Sequence, residues 1–419
     1  MMIPKSWERY ALGKITETIT SGSRDWAQYY SDVGSKFIRM TNLPRDGIYL
    51  KLNDLKYVDV KSESSDGQRT SLNPGDILIS ITAELGKIGW VPDNLGEAFI
   101  NQHTALVRLK SKFTDSKFVA YLLSSKEMNH KINRLNDSGA KAGLNLSTIR
   151  AIPLLLPPLP EQRKIATILE TWDKAISTTE RLIDNSKQQK NALMQQLLTG
   201  AHTQRKRLLD DSGKPFEGEW EEVKLGDVCS KVTDGAHHSP QSVEVGYPMF
   251  SVKDMRSTGF AENTARHISE DDFKALEKQN CKPEINDILI AKDGSILKYC
   301  FVVKKEIQGV ILSSIALLRP KLNKISPHFI AQYFSQESVR FFVGKALTSG
   351  SGVPRIILKD FKGIHIRIPN LYEQKKIAAV LNNADKEIEL LEQQLADLKQ
   401  EKKALMQQLL TGKRRVTIG

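Results

Sequence analysis

ALMQQLLTG fills residues 192–200, and the same nine residues return 212 positions later, at 404–412. Identity at that one offset continues upstream. Glu161-Gln162 matches Glu373-Gln374, Lys164-Ile165-Ala166 matches Lys376-Ile377-Ala378, Leu169 matches Leu381, and Asp173-Lys174 matches Asp385-Lys386. No insertion separates these matches, so the two segments are copies of one element of equal length. A repeat of this period governs how the rest of the chain is read.

Each copy predicts a long helix with a narrow apolar seam. In the first, Ile165, Leu169, Trp172, Ile176, Thr179, Ile183, Ser186, Lys190, Leu193 and Leu197 step alternately by four and three. In the second, Ile377, Leu381, Ala384, Ile388, Leu391, Leu395, Leu398, Lys402, Leu405 and Leu409 do the same. Sustained over more than four heptads, this is coiled-coil spacing rather than the wider apolar face of a helix lying on a core. Pro157-Pro158 and Pro160 suit the lead-in and first turn, Asn370 with Glu373 makes a capping-box pattern, and Gly200 and Gly412 stand where a terminating Gly belongs. About 40 residues at 1.5 Å each gives a rod of roughly 60 Å.

Two such seams are covered most simply by each other. Antiparallel packing places the end of the first helix beside the start of the second, a distance the linker at 201–219 spans easily; parallel packing needs a return trip near its fully extended length. With Ile165 facing Leu409, Lys190 lies opposite Ala384 and Lys402 opposite Trp172, where an ammonium over the indole face is favourable.

Outside the helices the repeat thins but keeps nearly the same offset. WERYALG at 7–13 pairs with WEEVKLG at 220–226, DILI at 76–79 with DILI at 287–290, Ala105-Leu106 with Ala316-Leu317, Arg108 with Arg319, and Ser138-Gly139 with Ser349-Gly350. The framework is shared and the sequence between is not, which suggests two sites of one kind reading two different targets. Strands are expected at 76–81, 104–109, 287–291 and 310–318, broken by Gly, Asn and Asp turns, with helices at 116–135 and 327–344. Each half is therefore α+β. The expected division is a first domain at 1–156, a helix at 157–200, the linker at 201–219, a second domain at 220–369, a helix at 370–412 and a basic tail at 413–419. The pairing of the helices relates the two halves by an approximate two-fold axis.

The 419 residues are 40% hydrophobic, enough for real cores, and carry a net charge of +12, which favours a polyanionic partner. No stretch approaches the roughly 18 uninterrupted apolar residues of a membrane span, so a cytoplasmic protein with no membrane partner is expected. Cys229, Cys281 and Cys300 match no zinc or redox spacing and read as reduced thiols.

Chemistry-bearing motifs are missing. There is no G-x-x-x-x-G-K-[ST] loop, no G-x-G-x-x-G turn, no H-E-x-x-H helix and no [ND]-P-P-[FYW] run. The nearest nuclease-like set, Asp93 with Asp115 and Lys117, has loose spacing, and position 304, the counterpart of Asp93, is Lys. His237-His238 has no third ligand at a helical or turn spacing, so a polar recognition loop is the better reading than a metal site.

In this order, PPLPEQRKIA at 157–166, LLTG at 197–200, YEQKKIA at 372–378 and LLTG at 409–412 resemble type I restriction-modification specificity subunits. LGDVCSKVTDGAHHSP at 225–240, INQHTALVRL at 100–109 and SGSGVPRI at 349–356 look like parts of their target-recognition domains. The resemblance implies two α+β target-recognition domains in tandem, each followed by a long helix, the helices pairing as an antiparallel coiled coil. It implies a non-catalytic subunit that recognises a bipartite, asymmetric double-stranded DNA site, one half-site per domain, with the gap set by the coiled coil. It also implies two modification subunits carrying S-adenosylmethionine and restriction subunits using ATP and Mg²⁺, with no cofactor on this chain. The alternatives are a stand-alone Mg²⁺-dependent nuclease and a coiled-coil scaffold whose end domains bind no DNA.

Base edges are read by Arg, Lys, Asn, Gln and small polar side chains. The candidates for DNA contact in the first half are Arg24, Arg39, Asn42, Gln102, His103 and Lys141. In the second they are Thr233, His237, His238, Lys253, Arg256, Ser313, Ser314 and Arg355. The basic triplets Arg205-Lys206-Arg207 and Lys413-Arg414-Arg415, just past the helix ends, are candidates for phosphate.

Overall fold

The two DILI runs become the central strands Ile77–Ser80 and Ile288–Ala291, and both are buried on both faces. Alternation explains how. Ile77 and Ile79 join the core that faces the helices, while Leu78 joins a second core on the opposite side of the sheet. In the second copy Ile288 and Ile290 divide from Leu289 and Ala291 in the same way. The computed structural model describes residues 4, 6–22, 26–60, 64–135, 143–198, 207–349 and 354–418.

Each copy builds an antiparallel four-stranded sheet. In the first the order is Thr16–Ser21, Thr104–Leu109, Ile77–Ser80, Ile88–Trp90; in the second it is Cys229–Asp234, Ile315–Pro320, Ile288–Ala291, Cys300–Val302. A smaller sheet packs on one face, with a parallel pair in each copy, Ser35–Ile38 with Ala98–Ile100 and Tyr247–Phe250 with Val310–Ile311. A two-stranded ribbon joins domain entry to domain exit, Glu8–Ala11 with Pro153–Leu156 and Glu221–Lys224 with His365–Ile368.

The expected strand at 310–318 is in fact two, Val310–Ile311 in the small sheet and Ile315–Pro320 in the large one. The expected helices are likewise split, into Ser116–Ser124 and Lys126–Arg134, and into Pro327–Ser335 and Glu337–Ala346. In the first pair Ser125 causes the break: its extended backbone ends one helix, and its hydroxyl caps the next at Met128 N.

Asp76 and Arg108, matched across the repeat, bind each other. Arg108 donates Nε and Nη2 to the two carboxylate oxygens at 2.9 and 2.7 Å, and Arg319 does the same to Asp287 at 2.8 Å each. Cys229 and Cys281 are buried and Cys300 is half-buried; all three are free, and burial pushes the Cys229 thiol up to about 12.

The long helices are Leu159–Leu198 and Leu371–Leu409, 40 and 39 residues. Every position of both predicted seams is buried or half-buried, and none is exposed. The chain divides into two compact units, one of residues up to 180 with those from 394, the other of 181–393. Each unit holds the opening stretch of one helix and the closing stretch of the other.

In the first unit the two stretches run antiparallel, because Lys402 meets Asp173 at 2.5 Å and Lys399 meets Glu180 at 2.7 Å. In the second, Lys190 meets Asp385 at 2.5 Å and Lys187 meets Glu392 at 2.7 Å. Ile165, Leu169 and Leu409 share one core, as the proposed register requires. Two details differ. Lys190 binds Asp385 rather than resting beside Ala384, and Lys402 lies over the ring of Tyr121, 5.4 Å from its centroid, rather than over Trp172. The carboxylate next along from each expected neighbour captures the ammonium, since a charge-assisted bond outweighs a half-buried indole face.

Helix ends also depart in part. Gly412 has the left-handed backbone of a terminating Gly (φ +71°), while Gly200 lies outside the described residues. Asn370 does accept from Glu373 N at 3.0 Å, but no reciprocal box forms, because the Glu373 carboxylate is bound by Arg207. Among the described residues no helix is long and apolar enough to cross a membrane.

Candidate nucleic-acid interface

In each domain the chain leaves the small sheet and enters the large one through a three-residue turn, Asn101-Gln102-His103 in the first and Leu312-Ser313-Ser314 in the second. The end of another strand of the large sheet lies against that turn at Gly22 and Gly235. A Cβ on Gly22 would stand 2.1 Å from the Asn101 carbonyl carbon, and one on Gly235 would stand 1.9 Å from the Ile311 carbonyl oxygen. Only glycine permits this contact of backbones.

A third segment closes the frame. Ile81 N donates to His103 O at 3.0 Å and Leu144 N donates to Ile81 O at 3.0 Å. In the second domain Lys292 N donates to Ser314 O at 3.0 Å and Ile356 N to Lys292 O at 3.1 Å. The bridge Thr82↔Gly143 corresponds to Asp293↔Arg355. The backbone is thus the same twice.

The side chains on it differ. In the first domain His103 Nδ1 meets Thr82 Oγ1 at 2.8 Å, and Gln102 Nε2 lies 3.1 Å from His103 Nε2. In the second, Lys292 Nζ lies 3.3 Å from both Asp234 Oδ2 and Asp293 Oδ1. His237 Nε2 meets Asp234 Oδ1 at 3.1 Å, and Arg355 Nε meets Asp293 Oδ1 at 3.4 Å. One frame carries amide, imidazole and hydroxyl groups; the other carries two carboxylates interleaved with an ammonium and a guanidinium.

The structure gathers Gln102 and His103 at the first frame, and Thr233, His237, Ser313, Ser314 and Arg355 at the second. His237, His238 and Arg355 are exposed there, while Thr233, Ser313 and Ser314 are half-buried. Arg24 and Lys141 lie outside the described residues.

The remaining candidates sit on a separate turn that follows a strand of the small sheet, Met40–Asn42 in one domain and Val252–Asp254 in the other. Asn42 is corrected. It is only 2% exposed, accepts from Arg39 N at 2.9 Å and donates to Lys51 O and Asp54 O, so its polar atoms hold the turn together. Its counterpart Asp254 does the same for Ser251. Arg39 binds Asp54 at 3.2 Å, Lys253 is exposed, and the exposed Arg256 donates to Lys253 O and Met255 O.

Two further readings change. Arg207 and Arg415 are not free for phosphate: each donates Nε and Nη2 to a buried carboxylate, Glu373 and Glu161 respectively. Lys413 and Arg414 are exposed, and Arg205 and Lys206 lie outside the described residues. Asp115 is the cap of a helix, accepting from Phe118 N at 2.8 Å, which spends the carboxylate the nuclease reading needed. Among the described residues no group of three or more His, Cys, Asp or Glu side chains could hold a metal ion. Sequence reading passed over Asp234, Lys292 and Asp293. The signal was there: Lys292 follows DILIA where Ile81 follows DILIS.

Residues 4–186 and 217–400 each match the family described as type I restriction modification DNA specificity domain. The chain is 24% identical to the type I restriction enzyme MjaVIII specificity subunit of Methanocaldococcus jannaschii, over 99% of this chain and 95% of that one. It is 25% identical to the EcoKI specificity subunit of Escherichia coli K12, over 64% of this chain and 58% of that one. Among solved structures, the S subunit of a type I system from M. genitalium aligns over 97% of this chain and 96% of its own with a TM-score of 0.62 at 15% identity. A chain from a structure of an assembled type I R-M system aligns over 99% and 100%, with a TM-score of 0.56 at 17% identity.

Proposed function

The chain belongs to the family of type I restriction modification DNA specificity domains, present twice, and from that premise we propose how this copy works. Each domain reads one half of a bipartite, asymmetric duplex site, and the paired helices hold the two readers at a fixed separation. The observation that carries this is the frame repeated in both domains. Its backbone bonds coincide while its polar side chains differ in type and charge, which is what two readers of one design and two targets require.

The chemistry is supplied by partners. Two modification subunits bring S-adenosylmethionine, restriction subunits bring ATP and Mg²⁺, and this chain directs both to the site. The even spread of one helix design over both units supports a pair of like partners. The net charge of +12 supports the approach to DNA, with affinity falling steeply as salt rises.

Methylome sequencing of a host expressing the chain with its modification and restriction subunits tests the reading. A two-part motif of unlike halves with a constant gap is expected. Salt-sensitive binding with no sequence preference, even with the modification subunit present, would sink it and leave a coiled-coil scaffold. The purified chain alone, incubated with Mg²⁺ and DNA, is expected to leave the DNA intact; cleavage would restore the nuclease reading.

A further inference from the structure

Lys292 is 4% exposed, at the heart of a polar network with Asp234, Asp293, His237 and Arg355. Its ammonium lies 3.3 Å from a carboxylate oxygen on each side, Asp234 and Asp293. Exposure of the side chains rises outward: 6% for Lys292, 9% and 12% for the two carboxylates, then 77% for His237 on Asp234 and 61% for Arg355 on Asp293. A buried cation lies between two carboxylates, and each carboxylate meets a nitrogen of an exposed side chain.

The fold has no need of these charges. The same backbone frame in the first domain carries Ser21, Ile81, Thr82 and Gly143 at the matching places, with Ile81 in the apolar core. Burying an ammonium is costly, and replacing a buried ion set by apolar residues is often neutral or stabilising. The sister domain shows that the sheet closes around isoleucine at that point. A charged network kept where an apolar residue serves the fold is kept for what it presents.

We infer that this network is the specificity determinant of the second domain, with Arg355 as the residue that reads a guanine and Lys292 as the residue that positions it. The inference rests on the DNA-reading function proposed above. Arg355 meets Asp293 through Nε at 3.4 Å, an ion pair that does not involve the two terminal nitrogens of its largely exposed guanidinium. The paired terminal nitrogens of a guanidinium match O6 and N7 of guanine in the major groove. An arginine that arrives already oriented loses less freedom on binding than one that must be ordered there.

The test compares methylomes of hosts expressing the whole complex with four forms of this chain: unaltered, Arg355→Ala, Arg355→Lys, and the graft Asp234→Ser/Lys292→Ile/Asp293→Thr. The unaltered chain is expected to give a bipartite motif with a G·C pair in the half-site of the second domain. Arg355→Ala is expected to relax that one pair, lowering discrimination there roughly ten- to hundredfold, with the other half-site and the gap unchanged. Arg355→Lys, which lacks the planar fork, does not restore it. The graft is expected to relax the same pair although Arg355 remains, which a bystander network would not do. An unchanged motif with Arg355→Ala, or with the graft, overturns the inference. Absence of any bipartite motif with the unaltered chain overturns the function beneath it instead. Because Arg355 is exposed, its Ala variant decides the matter even where the graft does not fold.

Discussion

Glu161 and Glu373 are 0% and 1% exposed, so their charges are out of water and depend on the arginines that meet them. Arg415 holds Glu161 at 2.6 and 2.7 Å, and Arg207 holds Glu373 through the same two nitrogens. Removing one partner of a buried pair costs about 3–5 kcal/mol, because the survivor stays buried and uncompensated. Arg415 is 45% exposed, so solvent screening reduces the figure here to about 1–3 kcal/mol. Arg415→Ala should therefore lower the thermal midpoint of the chain, and adding Glu161→Gln should recover much of the loss, because the stranded charge is gone. Calorimetry on the single and double variants checks this; equal losses would show that the pair is not what is being lost. The Glu-Gln dipeptide was legible as a repeated feature, but its role was not. Arg207 and Arg415 lie 208 residues apart rather than 212, so the repeat does not flag them, and Arg415 meets a residue 254 positions away.

The long helices were the most legible elements, because a seam of period 3.5 is written in the sequence itself and each seam residue ends up covered. The turn inside 310–318 was not, because a continuous apolar run looks the same whether it stays in one sheet or passes from one to another. That turn is where the candidate site lies, so the chemistry was seen residue by residue while its grouping stayed hidden. The seam also makes the ruler testable. The division between the compact units falls at 180/181 in one helix and 393/394 in the other. Seven residues inserted at both points keep the heptad phase and lengthen the pair by about 10.5 Å, or about three base pairs. The gap in the methylated motif is expected to grow by about that amount with both half-sites unchanged. Insertion in one helix alone has to loop out, and should leave the gap as it was. A gap indifferent to the paired insertion would remove the helices from the role of ruler.

For the whole molecule, the question is how one helix design docks two dissimilar domains. Much of the answer lies in bonds that do not depend on the domain's side chains. Gln162 accepts from Asp115 N and donates to Phe113 O and Pro157 O, and Gln374 accepts from Ser326 N and donates to Lys324 O and Pro369 O. Main-chain partners are available in any sequence that keeps the backbone path. Where a side chain is used, the helix tolerates variety: Asp173 accepts from Tyr121 at 2.6 Å, and its repeat Asp385 accepts from Gln332 at 2.7 Å. Exchange of one domain should therefore leave the dock intact. Replacing residues 1–156 with those of a family member of known target keeps Glu161, Gln162, Asp173, Leu409 and Arg415 in place, all of which lie outside the exchanged stretch. The exchanged chain is expected to assemble and to methylate a hybrid motif, with one half-site from the donor, the other retained, and the gap unaltered. Methylome sequencing reads all three at once. A change in both half-sites would mean that the domains do not read independently, and a change in the gap alone would mean that the domain, rather than the helix pair, sets the spacing.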